Sequence, residues 1–108
     1  MSLFSLGLVT VVAAGTPQQI TATKTNASAV YFQTVEAQSG NRVYIGSSAL
    51  VKSTLVGCYR VLVKPLATPA SLDSWLLQNN IGICVVDLST IYLDSDTTGD
   101  GLLISYLA

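Results

Sequence analysis

The stretch IGICVVDLSTIYLDSDTTGDGLLISYL, residues 81–107, decides how the rest of the chain is read. It holds three short apolar runs, Ile81 to Val86, Thr90 to Leu93 and Leu102 to Leu107, rich in β-branched and aromatic residues. Asp87-Leu88-Ser89 and the polar loop Asp94 to Asp100 separate them. Short runs of this kind, bounded by Asp, Ser and Gly, read as β-strands.

Toward the N-terminus the pattern repeats. Residues 4–13 are rich in Leu and Val and end at Gly15-Thr16-Pro17, a turn signal. Gln18 to Thr23 alternates weakly around Ile20 and Ala22, and Lys24-Thr25-Asn26 turns the chain. Ala29 to Val35 (AVYFQTV) is a strong strand. After the turn Ser39-Gly40-Asn41 comes Arg42 to Ile45, which Gly46-Ser47-Ser48 is expected to break. Residues 50–56 fit no single template, and Cys58 to Val63 is a further strand stopped by Pro65. One segment departs from this rhythm. Thr68 before Pro69 is an N-cap followed by proline at the first helical position. Leu72, Trp75 and Leu76 then recur at helical spacing. A short helix or helical turn is therefore predicted across 69–78, with a strand through Trp75 to Leu77 as the alternative. Seven or eight strands at intervals of about 8–12 residues predict an all-β fold, a single antiparallel β-sandwich of jelly-roll type. Residues 1–108 read as one domain.

Composition narrows the function. Half of the 108 residues are hydrophobic and only 10% are charged, against about 25% in an ordinary soluble domain. So little charge fits a surface covered by partner chains, because interface centres are depleted of charged residues. Net charge is −1, and the basic residues Lys24, Arg42, Lys52, Arg60 and Lys64 are scattered. No basic stripe is present to neutralise phosphates, so no nucleic-acid partner is expected. The apolar run at residues 3–14 lacks a basic leader, the first lysine being Lys24, and is too short to span a bilayer. It reads as a strand, and no membrane partner is expected.

Histidine is absent. The commonest general base and metal ligand is thus missing, and a Ser-His-Asp or Cys-His arrangement cannot form within the chain. No catalytic residue, cofactor or enzymatic activity is expected. Asp94, Asp96 and Asp100 imitate the first half of a calcium loop, with Gly99 at the sixth position. The twelfth position is Ser105, where a bidentate Glu is needed. A polar hairpin loop is favoured, with these three aspartates kept as weak calcium candidates. Cys58 and Cys84 each lie in a predicted strand and read as small buried hydrophobes in preference to a disulfide. The five tyrosines and Trp75 are spread along the strands and suit core or interface packing better than a sugar platform. Residues 1–8, uncharged and containing Leu3, Phe4, Leu6 and Leu8, are the candidate interface. They read either as an N-terminal arm that joins a neighbour or as the first strand of the sandwich.

Three elements of the chain resemble small tailed-bacteriophage virion proteins. They are Val9-Thr10-Val11-Val12-Ala13-Ala14-Gly15-Thr16 with Gln18 to Thr23, then Gly40-Asn41-Arg42-Val43-Tyr44-Ile45-Gly46-Ser47-Ser48, then Asp87-Leu88-Ser89-Thr90-Ile91-Tyr92-Leu93-Asp94 followed by Asp100-Gly101 and Tyr106. They occur in the family's order. Between them the chain departs from the family, with Lys64-Pro65-Leu66-Ala67-Thr68-Pro69 where a compact turn is usual. The resemblance implies a β-sandwich structural protein of the virion, assembled in the bacterial cytoplasm. The leading expectation is a capsid decoration (cement) protein that binds the major capsid protein or other virion proteins as a homo-oligomer, a trimer being favoured. A head–tail connector, tail or fibre-base component is the second reading. A carbohydrate- or receptor-binding module is the third.

Overall fold

The computed structural model describes residues 2–35, 42–63, 73–78 and 86–108. Its strands are β1 (Leu3–Thr10), β2 (Gln18–Gln19), β3 (Asn26–Ala27), β4 (Ala29–Gln33), β5 (Arg42–Val51), β6 (Val56–Val63), β7 (Ser74–Gln78), β8 (Val86–Asp87), β9 (Tyr92–Ser95) and β10 (Gly101–Leu107). A 3-10 turn, Leu88–Thr90, follows β8. The all-β expectation therefore stands. Two four-stranded sheets, ordered β1-β10-β4-β7 and β2-β9-β5-β6, hold eight strands, and β3 and β8 form a separate two-residue ribbon. Every pairing is antiparallel. The partners nest: β1 with β10, β2 with β9, β4 with β7, and β5 with β6 innermost. A long double ribbon rolled up in this way into two four-stranded sheets is the jelly roll.

The two sheets enclose one core. Val30 and Phe32 of β4 and Leu102 and Ile104 of β10 meet Val43 and Ile45 of β5, Leu62 of β6 and Leu93 of β9, all with almost no exposed surface. The period-2 alternation of each strand accounts for this set. In β1 the alternation is reset. The register slips between Ser5 and Gly7, and Gly7 takes a φ of +71°, which glycine reaches without steric cost. This bulge inserts one residue and reverses the phase beyond it. Leu6 therefore packs on the core before it and Val9 after it, Phe4 lies opposite Tyr106 on the same side but is 46% exposed, and Leu8 turns out opposite Leu103.

Three local expectations are corrected. The helix predicted across 69–78 is replaced, within its described part, by strand β7; residues 69–72 lie outside the described residues. β7 pairs with β4 along Tyr31–Leu76 and Phe32–Trp75. Trp75 stacks on Phe32, with ring centroids 5.6 Å apart, and Trp75 and Leu77 both reach the core. Their spacing of two outweighs the helical spacing of Leu72, Trp75 and Leu76. Buried Thr34 fixes the entry: the Asp73 N–H donates to Thr34 Oγ1 at 2.9 Å, and the Thr34 N–H donates to the Asp73 carbonyl at 2.9 Å. Second, Gly46-Ser47-Ser48 does not end β5, which arches through them to Val51 with register shifts at Gly46. A Cβ at Gly46 would run into the Gly57 carbonyl of β6, so a bare residue there permits the close approach. Third, of the two readings of residues 1–8, the described residues from Leu3 follow the first-strand one and not the arm: β1 is bonded to β10 from Leu3–Leu107 to Thr10–Gly101. The strand expected at residues 81–86 falls outside the described residues up to 85.

The β5–β6 connection carries a cost. The Leu55 N–H closes the turn on the Val51 carbonyl at 2.8 Å, and Leu55 has a φ of +62°. A left-handed conformation is unfavourable for a side chain with Cβ and free for glycine. Leu55→Gly is expected to stabilise the fold by about 0.5–1 kcal/mol, read from urea unfolding midpoints; a loss of stability would contradict the assignment.

Asp87 organises the 3-10 turn. Its Oδ1 accepts from the Ser89 N–H at 3.0 Å, the Ser89 hydroxyl at 2.8 Å and the Thr25 N–H at 3.2 Å. These bonds, the Ser89 N–H first, hold the carboxyl below its ordinary pKa. A lowered folded-state pKa contributes stability above the unfolded value, and that contribution is lost as pH falls through the folded value. The melting-temperature gap between the natural chain and Asp87→Asn is expected to be widest near neutral pH and to narrow as pH falls below the ordinary carboxylate range.

Candidate interaction surface

The two sheets differ in their outer faces. On β2-β9-β5-β6 the outer face is mixed and partly roofed, with Val63, opposite Arg42, 46% exposed beside the polar groups around Tyr44. Asp94, opposite Tyr44 in the register, is 1% exposed because the crossing from β1 to β2 lies over it. The Gly15 N–H donates to Asp94 Oδ1 at 2.8 Å, as does the Ser95 N–H at 2.8 Å. The Ala14 N–H donates to Thr98 Oγ1 at 3.0 Å, and the Gly99 N–H to the Val11 carbonyl at 2.9 Å. The Tyr44 hydroxyl donates to Asp96 Oδ1 at 3.1 Å. Burial pushes this phenol above its ordinary pKa, against Arg42 and with help from Asp96. Lys52 Nζ donates to the Ser95 carbonyl at 2.8 Å and stands 4.0 Å from Asp96.

The calcium candidates are therefore committed to the fold in different ways. Asp94 holds the crossing, Asp96 holds Tyr44, and Asp100 is nearly buried, its carbonyl accepting from the Val11 N–H at 2.8 Å. Among the described residues no three potential ligands gather into a metal-binding group. Cys58 is a free, half-buried thiol whose pKa is raised by burial; Cys84 lies outside the described residues.

The outer face of β1-β10-β4-β7 differs in its charge. None of its four strands, LFSLGLVT, GLLISYL, AVYFQ and SWLLQ, contains a charged residue. Because Leu102, Ile104, Val30 and Phe32 point inward, the alternate positions Leu103, Ser105, Leu107, Ala29 and Tyr31 point out. Cross-strand register lines up Leu8 with Leu103, Ser5 with Ser105, Tyr31 and Leu76, and Leu3 with Leu107 and Ala29. Leu3 is 72% exposed, Leu8 54%, Leu76 51% and Leu103 41%. An open depression of about 140 Å³ lies between Leu3, Tyr31, Leu76 and Leu107. Contiguous exposed apolar surface of this kind marks a contact site.

Of the candidate interface residues, Leu3 and Leu8 belong to this face. Phe4 stacks on Tyr106 at 5.3 Å on the inner side yet stays 46% exposed, and Leu6 packs against the core. The reading of residues 1–8 missed Leu103, Tyr31, Leu76 and Leu107, which come from three distant segments. The available signal was the absence of charge from all four strand sequences. The exposed tyrosines, Tyr31 and Tyr59, stand on different sheets. Among the described residues no helix is long and apolar enough to cross a membrane. Comparison with protein-family models, curated proteins and solved structures finds no match.

Asp94→Ala is expected to destabilise the chain by about 1–3 kcal/mol, because it leaves the buried Ser95 N–H without its acceptor and unties Gly15 of the crossing from β9. Added calcium is expected to leave the melting temperature unchanged, and a calcium-dependent rise would restore the ion site.

Proposed function

We propose that this chain is a non-catalytic structural protein of a bacteriophage virion, a capsid decoration protein that binds the assembled shell and stabilises it. The observation that carries the reading is the uncharged, exposed outer face of β1-β10-β4-β7. Such a face works by area, since apolar surface removed from water contributes about 25 cal/mol per Å². The jelly roll, an architecture found in viral capsid proteins, supports it, as does the resemblance of three elements to tailed-phage virion proteins. A protein that bridges neighbouring shell subunits stabilises the closed shell by mass action and slows its opening. Its partners are the major capsid protein or other virion proteins, together with its own copies. A place at the head–tail junction or on the tail uses the same packing and differs in copy number. A sugar- or receptor-binding role has weaker support, because Tyr31 and Tyr59 do not share a surface.

Imaging purified particles of a phage that encodes the chain, with gold-labelled antibody, tests this. Dense labelling over the shell is expected; a single label at the neck supports the junction reading, and unlabelled particles refute both. Binding to shells is expected to persist from about 0.1 M to about 1 M salt, where the screening length falls from about 10 Å to about 3 Å.

A further inference from the structure

We infer that the outer face of β1-β10-β4-β7 is a homotypic interface, closed by the same face of a second copy around a two-fold axis. The inference rests on the structural reading above and gives its central surface to a second copy, so that the pair meets the shell through its remaining surfaces.

Three observations select a second copy. The first is charge. In a two-fold contact each patch meets itself, so any charge near the axis faces its own like. This face has none, whereas the outer face of the other sheet carries the exposed Arg42, with Lys52 and Asp96 beside it. The net charge of −1 adds little long-range repulsion between copies. The second is area. Four strands about 4.8 Å apart, the longer ones seven or eight residues at about 3.4 Å each, make a face of roughly 400 Å² in projection. Its protruding leucines and tyrosine raise the accessible area toward the 600 Å² or so a side that begins the range of specific interfaces. The third is relief. Leu3, Leu8, Leu76 and Leu103 stand out from the face, and the depression between Tyr31, Leu76 and Leu107 lies among them. Knobs and a hollow on one patch are what a self-complementary packing requires. A two-fold contact closes on itself as a pair and uses no second patch, whereas a trimer needs two different ones.

The test is sedimentation velocity on the isolated full chain over a concentration series, at low and high salt. A mass twice that of the chain is expected, unchanged by salt. Leu103→Lys and Ser105→Lys each place like charges across the axis and are expected to weaken the pair at least about 100-fold, with circular dichroism unchanged. Ser105→Lys removes no apolar packing, so it serves if Leu103→Lys does not fold. Val12→Lys, exposed and outside the four strands, is expected to leave the pair intact. A natural chain that stays monomeric at the highest concentration overturns the inference. So does a pair that survives a folded lysine variant, or one that Val12→Lys disrupts equally. A chain found on the particle yet monomeric refutes the pairing alone; a chain that pairs but is missing from the particle refutes the virion role alone.

Discussion

The ladder between β1 and β10 is the constraint on which the rest of the structure depends. It joins the two ends of the described chain, and it admits no side chain at its tightest point. A Cβ on Gly101 would collide with the Val9 carbonyl. With that ladder in place, β10 can bond β4 on its other side, β4 can bond β7, and the sheet has a full inner face to lay on the core. Beyond Thr10 the chain leaves this sheet for the other one. The Val11–Asp100, Gly99–Val11, Ala14–Thr98 and Gly15–Asp94 bonds hold the crossing against the loop that precedes β10. The acidic loop is the clamp of that crossing, which is why its carboxylates face backbone N–H groups and a tyrosine.

The division of labour between the sheets follows. One outer face is occupied by the crossing and by Tyr44, Asp94, Asp96 and Lys52, so its polar groups are satisfied within the chain. The other is left bare and holds only uncharged residues at its outward positions, leucines and a tyrosine among Ala, Ser, Thr, Gln and Gly. The shortage of charge in the composition is thus unevenly placed. Two strands of the polar sheet carry the cations Arg42 and Arg60 and a third carries Asp94, while the apolar sheet carries no charge at all.

Strands were legible where apolar runs were bounded by strong turn chemistry, as in Ala29–Gln33, Tyr92–Ser95 and Gly101–Leu107. They were misread where one local rule masked another. Thr68-Pro69 offered a helix start, but pairing with β4 and stacking on Phe32 chose a strand for Trp75. Gly46 resembled a breaker, but its missing Cβ serves close approach to Gly57 within the sheet. The candidate surface was half legible. Leu3 and Leu8 were named because they fall in one apolar run. Leu103, Tyr31 and Leu76 could be joined to them only by long-range pairing, which no local pattern encodes. The bulge at Gly7 also decides which leucines of β1 face out, and strict alternation would have kept Leu8 on the side of Phe4 and Leu6.

The nesting of first strand with last has a consequence in time. During synthesis β1 emerges long before β10, at about 5–20 residues per second. Until β10 arrives β1 has no partner, and the bare face does not yet exist as a surface. Its leucines are scattered over segments of a growing chain and cannot present themselves together to a neighbour. The apolar face is completed only once β10 has paired. In the proposed pairing, assembly is thereby ordered behind folding.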